Sequence, residues 1–454
     1  MADPERKAIP GDAEDTALEQ MGYQPGKLIL FGLKYSGTRV MLQGELVLVQ
    51  VRWSALGGVL VTGVNAGGPP VMIWGWVGIS LVSLCVAYSM AEMCSEYPVA
   101  GGQYSWVYIL SPKSIRRQFS YLTGWFMIIV LLTETGILAM GATNSFIGAN
   151  FILGQANLVN PNYEIQRWHT VLVAYSITLF ATFINMWGSK ILDKISKGLL
   201  IFNILSFISI VVTILACNTN KQSASFVFRD FQNFTGFSTS MAGIIGILQP
   251  AFGMCCYDAP AHMCEELKDA SKQAPRAMVL SVYIGSITGF IFLIAVCFCI
   301  GDITEVAETA TLVPLIQIFF DSTNSNVGSC ILATLIVIID LGCANALLAE
   351  GARSLYAFAR DHGLPFSSFI SKVEPKHQIP VVAIILGTVV QMAFNITSEN
   401  MNYTSAAVGV IMLVAAITWF TTARKRFSGP EIEAVINIIT GHHGSDSEDV
   451  KGLE

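Results

Sequence analysis

The sequence predicts an all-α polytopic membrane protein. Hydrophobic residues make up 53% of the chain and charged residues only 13%, whereas soluble domains carry about 25% charged residues. The mean hydropathy is +0.57, and apolar runs long enough to cross a bilayer recur along the chain. One of these runs, Gly243–Glu266, contains two prolines and an aspartate, which is typical of a broken membrane helix.

We predict ten membrane spans. The first is the weakest, because it contains Arg52 and several polar residues. The third is long enough for a tilted helix, and the ninth is barely long enough to cross. In order, the predicted spans are Glu45–Ala66, Val71–Cys94, Phe119–Leu153, His169–Trp187, Gly198–Cys217, Ser240–Ala259, Ala277–Gly301, Gly328–Ala349, Ile379–Phe394 and Tyr403–Phe420.

Positive charges are distributed unevenly between the predicted loops. If the N-terminus is cytoplasmic and the spans alternate, the outer loops hold only Arg167, Lys221 and Arg229, and the inner loops hold sixteen lysines and arginines. Such an excess marks cytoplasmic loops. We therefore expect both termini in the cytoplasm, with a transmembrane domain at 45–421 between an N-terminal tail at 1–44 and a C-terminal tail at 422–454.

The sixth span carries the strongest functional signal. Pro250 and Gly253 interrupt its apolar run, and Asp258, Pro260 and His262 follow. Unpaired backbone groups in lipid cost several kcal/mol each, so such a break is tolerated only where protein or a wet cavity surrounds it. We predict a discontinuous transporter helix with a substrate site at the break. The alternative is a proline-kinked structural helix.

Five residues at the break are predicted to bind substrate: Phe252, Gly253, Met254, Tyr257 and Asp258. Freed N–H groups after the break would face a substrate carboxylate, and carbonyls before it would face an amine. Asp258 pairs with an amine, takes a proton, or caps the second half-helix. Only Phe252 and Tyr257 supply rings there, so a choline cage is not favoured over amino-acid binding.

Four further ionisable residues are candidates for a role in transport. Glu134 lies in the middle of the third span and would pair with the substrate amine or carry a proton; its alternative is a protonated acid bonded to a neighbouring helix. Asp340, His262 and Glu92 are candidates for gating or proton coupling. Their structural alternatives are a buried neutral acid, an ion cluster and an interface charge, respectively.

Motifs for catalysis and nucleotide hydrolysis are lacking from the sequence. It contains no phosphate-binding loop of the G-x-x-x-x-G-K-[ST] type, no H-E-x-x-H motif and no nucleophile elbow. The ten cysteines have no zinc-ligand spacing. We therefore expect no enzyme activity, metal, cofactor or nucleic-acid partner, and a channel is less favoured because no pore helix or ring of charges is visible.

Three sequons fall on the outer side of the predicted topology, at Asn233, Asn395 and Asn402. Asn233 lies in the longest outer loop and is the best placed to carry a glycan. Asn395 and Asn402 flank span ends, where the better interpretation is a chance sequon that is not used.

The loop after the second span is the most distinctive segment. It contains EMCSEYP at Glu92–Pro98 and GGQYSWV at Gly101–Val107. Together with other motifs along the chain, it resembles the fungal amino acid/choline transporters, a branch of the amino acid–polyamine–organocation superfamily. The other motifs are at Ala66–Pro69, Ser120–Trp125, Tyr257–Glu266, Leu348–Arg353, Ala357–Pro365 and Asn400–Tyr403.

This resemblance implies a fold of two inverted five-helix repeats with two extra helices, usually twelve spans. It also implies transport of amino acids, γ-aminobutyrate, choline or related amines, usually coupled to protons. We therefore expect a secondary active symporter in the lipid bilayer, with a small amine or amino acid and protons as partners, and with the plasma membrane as its location.

Two segments depart from the family pattern. Residues 28–65 do not resemble the family's first helix, and Arg52 near its middle would be costly unless it is paired. Phe394-Asn395 runs directly into sequence that belongs before the last helix, so about ten of the usual twelve spans are present. The alternative functions are therefore a non-transporting sensor or partner subunit, and an inactive remnant on the same scaffold.

Overall fold

The fold is built almost entirely of helices. A computed structural model of the chain describes residues 52–99, 101–128, 137–187, 189–262, 264, 267, 269–374, 379–397 and 412–430. Within these residues the helices are α1 Arg52–Gly58, α2 Leu60–Asn65, α3 Gly68–Glu96, α4 Gln103–Leu110, α5 Arg116–Ile128, α6 Ile137–Val159, α7 Arg167–Trp187, α8 Ser189–Cys217, α9 Ala224–Phe228, α10 Thr239–Gly246, α11 Leu248–Gly253, α12 Ala259–His262, α13 Ala270–Cys299, α14 Ile303–Ala307, α15 Pro314–Thr323, α16 Asn326–Arg360, α17 Ser367–Ile370 and α18 Val381–Thr397. A final helix covers 412–418 and continues through a π-helical turn, Trp419–Ala423, into α19, Arg424–Arg426.

Five helices among the described residues are long and apolar enough to cross a membrane: α3, α7, Gly198–Cys217 within α8, α13 and α16. α18 contains a shorter apolar helix, Val381–Asn395. The predicted spans in these five places agree with the observed helices. The largest difference is at α16, which continues past Ala349 to Arg360, because Leu355 and Phe358 there pack into the protein core.

Large apolar side chains remain exposed along the long helices. Leu81 on α3, Val212 on α8 and Ile287 on α13 are each exposed by more than half. Contiguous apolar surface on this scale is unfavourable in water. These faces are the surface that the hydrocarbon of a bilayer would cover.

The predicted first span contains an arginine and several polar residues. Its described part is enclosed by other helices, so the polar residues there do not face lipid. Residues 52–65 form α1 and α2, and Trp53, Leu56 and Leu60 are each at most 1% exposed. Trp53 Nε1 donates to Asn203 Oδ1 on α8 at 2.7 Å. A segment enclosed by other helices can carry polar groups, since these find partners in the bundle.

A short antiparallel ribbon joins the first helices to the loop before α10. β1 (Ala66–Gly67) pairs with β2 (Gln232–Asn233), with Ala66 opposite Asn233. Gly67 has φ of +110°, which favours glycine, and α3 begins immediately afterwards with prolines in its first turn. The ribbon therefore holds the α2–α3 turn against the loop that leads into the sixth predicted span.

Two hydrophobic clusters form the main core. The first lies between α1–α3, α6, α8, α11, α13, α15 and α16, and its largest members include Trp53, Trp76 and Phe292. The second lies between α5–α7, α16, α18 and the final helix, around Tyr121 and Phe358. α16 contributes to both, because its 35 residues extend for about 52 Å at 1.5 Å per residue.

Candidate functional site

The sixth predicted span is broken, as the sequence predicted. α11 ends at Gly253 and α12 begins at Ala259, and the residues between them are not helical. Cys256 in this gap has φ of +58°, a left-handed conformation that side chains rarely adopt. Pro260 lies in the first turn of α12, where a missing N–H does not disrupt the helix.

The upstream side of the break packs tightly against the first helix. Phe252 and Met254 are 6% and 1% exposed. A Cβ added to Gly253 would lie 2.5 Å from Leu56 Cδ2 and 3.0 Å from Trp76 Cζ3. Glycine at this position therefore allows α1 to approach the break closely.

Arg52 of α1 reaches directly into the break. Its side chain is almost fully enclosed, with the residue 4% exposed. Nη1 donates to the carbonyl oxygen of Met254 at 3.2 Å and contacts Met254 Sδ at 2.9 Å, and Nη2 donates to Ser281 Oγ on α13 at 3.2 Å. The guanidinium carbon lies 5.9 Å from the ring centre of Tyr257. The Met254 carbonyl at the break thus has a cationic partner.

A second polar group lies on the downstream side of the break. Gln103 Nε2, at the start of α4, donates to Asp258 Oδ2, and His262 Nε2 lies 3.7 Å from the same oxygen. The Asp258 side chain is 25% exposed and that of His262 is fully buried. Gly102 makes room for the imidazole, because a Cβ there would lie 2.8 Å from His262 Cε1.

Glu350 on α16 completes this polar group. It is 2% exposed and interacts electrostatically with Asp258, His262 and Arg353. Its Oε2 has no hydrogen-bond partner among the described residues. Buried carboxyl groups normally have hydrogen-bond partners, so Glu350 departs from the usual pattern among the described residues.

The other predicted site residues lie apart from this group or outside the described residues. Asp340 is 2% exposed and is ten residues, or about 15 Å, from Glu350 along α16; Asn144 Nδ2 donates to its backbone carbonyl at 2.8 Å. Glu92 is exposed near the end of α3. Glu134 and Asn402 lie outside the described residues.

The two described sequons occupy different environments. Asn233 is exposed on β2, and its Oδ1 accepts from the Thr235 hydroxyl at 2.7 Å. Asn395 is 3% exposed within α18, where the folded protein leaves no room for a glycan.

Four residues near the break were not among the predicted site residues: Arg52, Gln103, Ser281 and Glu350. Gln103 and Glu350 belong to motifs that already stood out in the sequence, GGQYSWV and LAEGAR. Arg52 was visible as a charge within an apolar stretch. Ser281 gave no signal, because serine is common in membrane helices.

Comparison with known proteins places these observations in a family. A family profile described as amino acid permease matches residues 46–438, so the match includes most of the predicted first span. A Macrophomina phaseolina protein named as an amino acid/polyamine transporter is 61% identical over 343 residues, covering 76% of this chain and 74% of the relative. The choline transporter of Saccharomyces cerevisiae is 33% identical over 333 residues, covering 73% and 58%.

More distant similarity was also found. The swainsonine transporter of Arthroderma benhamiae is 27% identical over 317 residues, covering 70% of this chain and 61% of the relative. A solved structure of a nucleobase-cation-symport-1 family transporter, in a closed conformation with bromovinylhydantoin bound, is 12% identical. The match covers 90% of this chain and 84% of that protein, with a TM-score of 0.46. The chain spans less than two thirds of the length of the yeast and Arthroderma relatives.

Proposed function

Because this chain belongs to the amino acid permease family, a family of membrane transporters, we propose that it is a secondary active transporter of amino acids or related small amines. The substrate binds at the break between α11 and α12. Transport proceeds by alternating access and is driven by protons. An enzyme role is not proposed, since the family and the named relatives are transporters.

One observation carries this proposal: a membrane helix is interrupted inside the bundle, and ionisable side chains converge on the interruption. Arg52 lies on one side, and Asp258, His262 and Glu350 lie on the other. Irregular backbone at membrane depth is costly unless it serves a binding site or cavity. Intramembrane charges are likewise typical of substrate or ion pathways. A merely kinked structural helix would need neither feature.

Proton coupling is assigned to the group formed by Asp258, His262 and Glu350. Asp258 Oδ2 accepts a hydrogen bond from the Gln103 amide and lies 3.7 Å from His262 Nε2. At this ion-pair distance the protonation of each group depends on the charge of the other. Glu350 interacts electrostatically with both of them. Movement of α12 relative to α4 and α16 would change these contacts, and with them the affinity for the proton.

The test is radiolabelled uptake in a transport-deficient yeast, using amino acids, γ-aminobutyrate and choline at about pH 5 and about pH 7.5. We expect saturable uptake that is stronger at the lower pH, because the inward proton gradient is then larger. Asp258→Asn keeps the shape of the side chain but cannot exchange the proton, so uptake should fall by about tenfold or more.

Asp230→Asn is the matched control, because Asp230 is exposed in the loop before β2. This variant should transport like the unmodified protein. Surface labelling establishes that each variant reaches the plasma membrane, which is the proposed location. A protein that reaches the surface and transports nothing from the panel would contradict the proposal and favour a sensor.

A further inference from the structure

We propose that Arg52 is the carboxylate-binding residue of the site, so that the transporter selects amino acids with a free carboxylate and rejects choline and other ligands that carry only a cation. This inference rests on the proposed function, because it places the substrate at the same break.

Among the described residues, no carboxylate forms an ion pair or hydrogen bond with the Arg52 guanidinium. Its hydrogen bonds go to the Met254 carbonyl and the Ser281 hydroxyl, which are neutral. Asp258 attracts it electrostatically, but Asp258 is already engaged by Gln103 and His262. A buried guanidinium without a carboxylate is unusual, since buried charges are normally paired.

The second step concerns the free edge of the guanidinium. Arginine has five N–H donors in a fixed plane. The Nε donor of Arg52 is buried and has no hydrogen-bond partner among the described residues. Within the same part of the chain, Nη2 donates only to Ser281. Nε and Nη2 lie on the same edge, which is the edge that binds a carboxylate through two parallel hydrogen bonds.

The third step is that the guanidinium is held in place before a ligand arrives. Met254 and Ser281 fix Nη1 and Nη2 from two different elements. Gly285 on α13 leaves room for the stem, because a Cβ there would lie 2.2 Å from Arg52 Cδ. A donor that is already oriented loses less entropy on binding than a mobile one.

The same geometry disfavours choline. Quaternary ammonium groups bind to the faces of aromatic rings, and the Tyr257 face at the break is already occupied by the Arg52 cation. A second fixed cation beside Arg52 would be repelled at short range. An amino acid avoids this conflict, because its carboxylate pairs with the Arg52 cation.

The test measures ligand-induced thermal stabilisation of the purified full chain in detergent micelles, since a ligand that binds the folded state raises its melting temperature. The probes are γ-aminobutyrate and a panel of α-amino acids, each beside its own amide, and choline. The amide keeps the amine and loses the carboxylate. We expect stabilisation by one or more of the acids, and none by its amide or by choline.

Variants then test the residue itself. Arg52→Gln should weaken the response to the acid by about 10- to 100-fold, the range for losing a hydrogen-bonded charge. The response of Arg52→Lys to the acid should lie between those of the unmodified protein and Arg52→Gln, because lysine supplies the charge without the planar pair of donors. Ser281→Ala should show a smaller loss of the same kind.

The proposal is overturned if the amide or choline stabilises the unmodified protein as well as the acid does, if Arg52→Gln responds normally, or if no acid stabilises the protein. If Arg52→Gln does not fold, the comparison of each acid with its amide on the unmodified protein still tests whether the site requires a carboxylate. Uptake is measured separately. If the protein binds acids selectively but takes none of them up, the proposed transport function is wrong and the role of Arg52 stands. If the protein takes up acids, amides and choline alike, only the role of Arg52 is wrong.

Discussion

At the scale of single residues, glycines decide how closely the first helix approaches the break. Gly253 lets Leu56 lie against the end of α11, and Gly285 lets the Arg52 stem lie against α13. A methyl group at either position overlaps a neighbouring side chain. The consequences differ, because Gly253 faces packed apolar side chains whereas Gly285 faces the flexible stem of an arginine.

We predict that Gly285→Ala weakens amino-acid binding. The new methyl would lie 2.2 Å from Arg52 Cδ, and a flexible side chain relieves such a contact by moving. The guanidinium then loses its position at Met254 and Ser281. We expect about tenfold weaker binding, the equivalent of one good hydrogen bond, in the thermal-stabilisation assay.

Gly78→Ala is the control for this prediction, because a Cβ at Gly78 meets nothing within 4 Å. This variant should bind normally and be as stable as the unmodified protein or slightly more so, since alanine favours the helix. Normal binding by Gly285→Ala would show that Arg52 keeps its function after displacement, and the prediction would be wrong.

At the scale of elements, the final helix is attached to the bundle at its C-terminal end. Arg117 on α5 donates to the carbonyl of Phe427 from Nε at 3.0 Å and from Nη2 at 2.6 Å, and to the carbonyl of Arg424 at 2.9 Å. The last carbonyls of a helix have no partner within it, and an arginine there also complements the helix dipole. Tyr121 adds ring contacts with Trp419 and Phe427.

We predict that Arg117→Ala lowers the free energy of unfolding by about 1–2 kcal/mol, a value at the low end for charged hydrogen bonds because Arg117 is partly exposed. The control is Arg116→Ala, which removes only a cation–π contact 4.6 Å from the Tyr108 ring, worth about 0.5–1 kcal/mol. Thermal unfolding of both variants measures the difference, and equal losses would argue against the capping role.

At the scale of the whole molecule, orientation in the membrane follows from charge. The excess of lysine and arginine in alternate loops predicts cytoplasmic termini and places the β1–β2 ribbon outside. The ribbon contains Asn233, whose side chain is exposed. A glycan on this residue would therefore report which side of the membrane the ribbon faces.

We predict that an endoglycosidase increases the gel mobility of the protein expressed in yeast, that Asn233→Gln abolishes this shift, and that Asn395→Gln leaves it unchanged. The two residues make a matched pair, because Asn233 is exposed and Asn395 is buried in α18. A shift that is lost only in Asn395→Gln would contradict the packing of α18 and the use of Asn233.

Local sequence was sufficient to predict much of this protein. Hydrophobic runs located the long helices, because a run of about 20 apolar residues is favourable in protein or in lipid wherever it lies in the chain. Pro250, Gly253 and Pro260 predicted the interruption of the sixth span, since proline and glycine act on their own backbone. These effects depend on neighbours a few residues away, which a sequence displays directly.

The composition of the site depended on the tertiary structure. Arg52 meets Met254 across 202 residues and Ser281 across 229, and no local pattern predicts such partners. The sequence alone made Arg52 a costly charge in a weak span; the bundle makes it an enclosed cation at the break. Asp340 shows the opposite case. Its position within a predicted span made it a candidate site residue, but α16 places it about 15 Å from Glu350. Helices pack through contacts distant in sequence, so their arrangement decides which charges share a site.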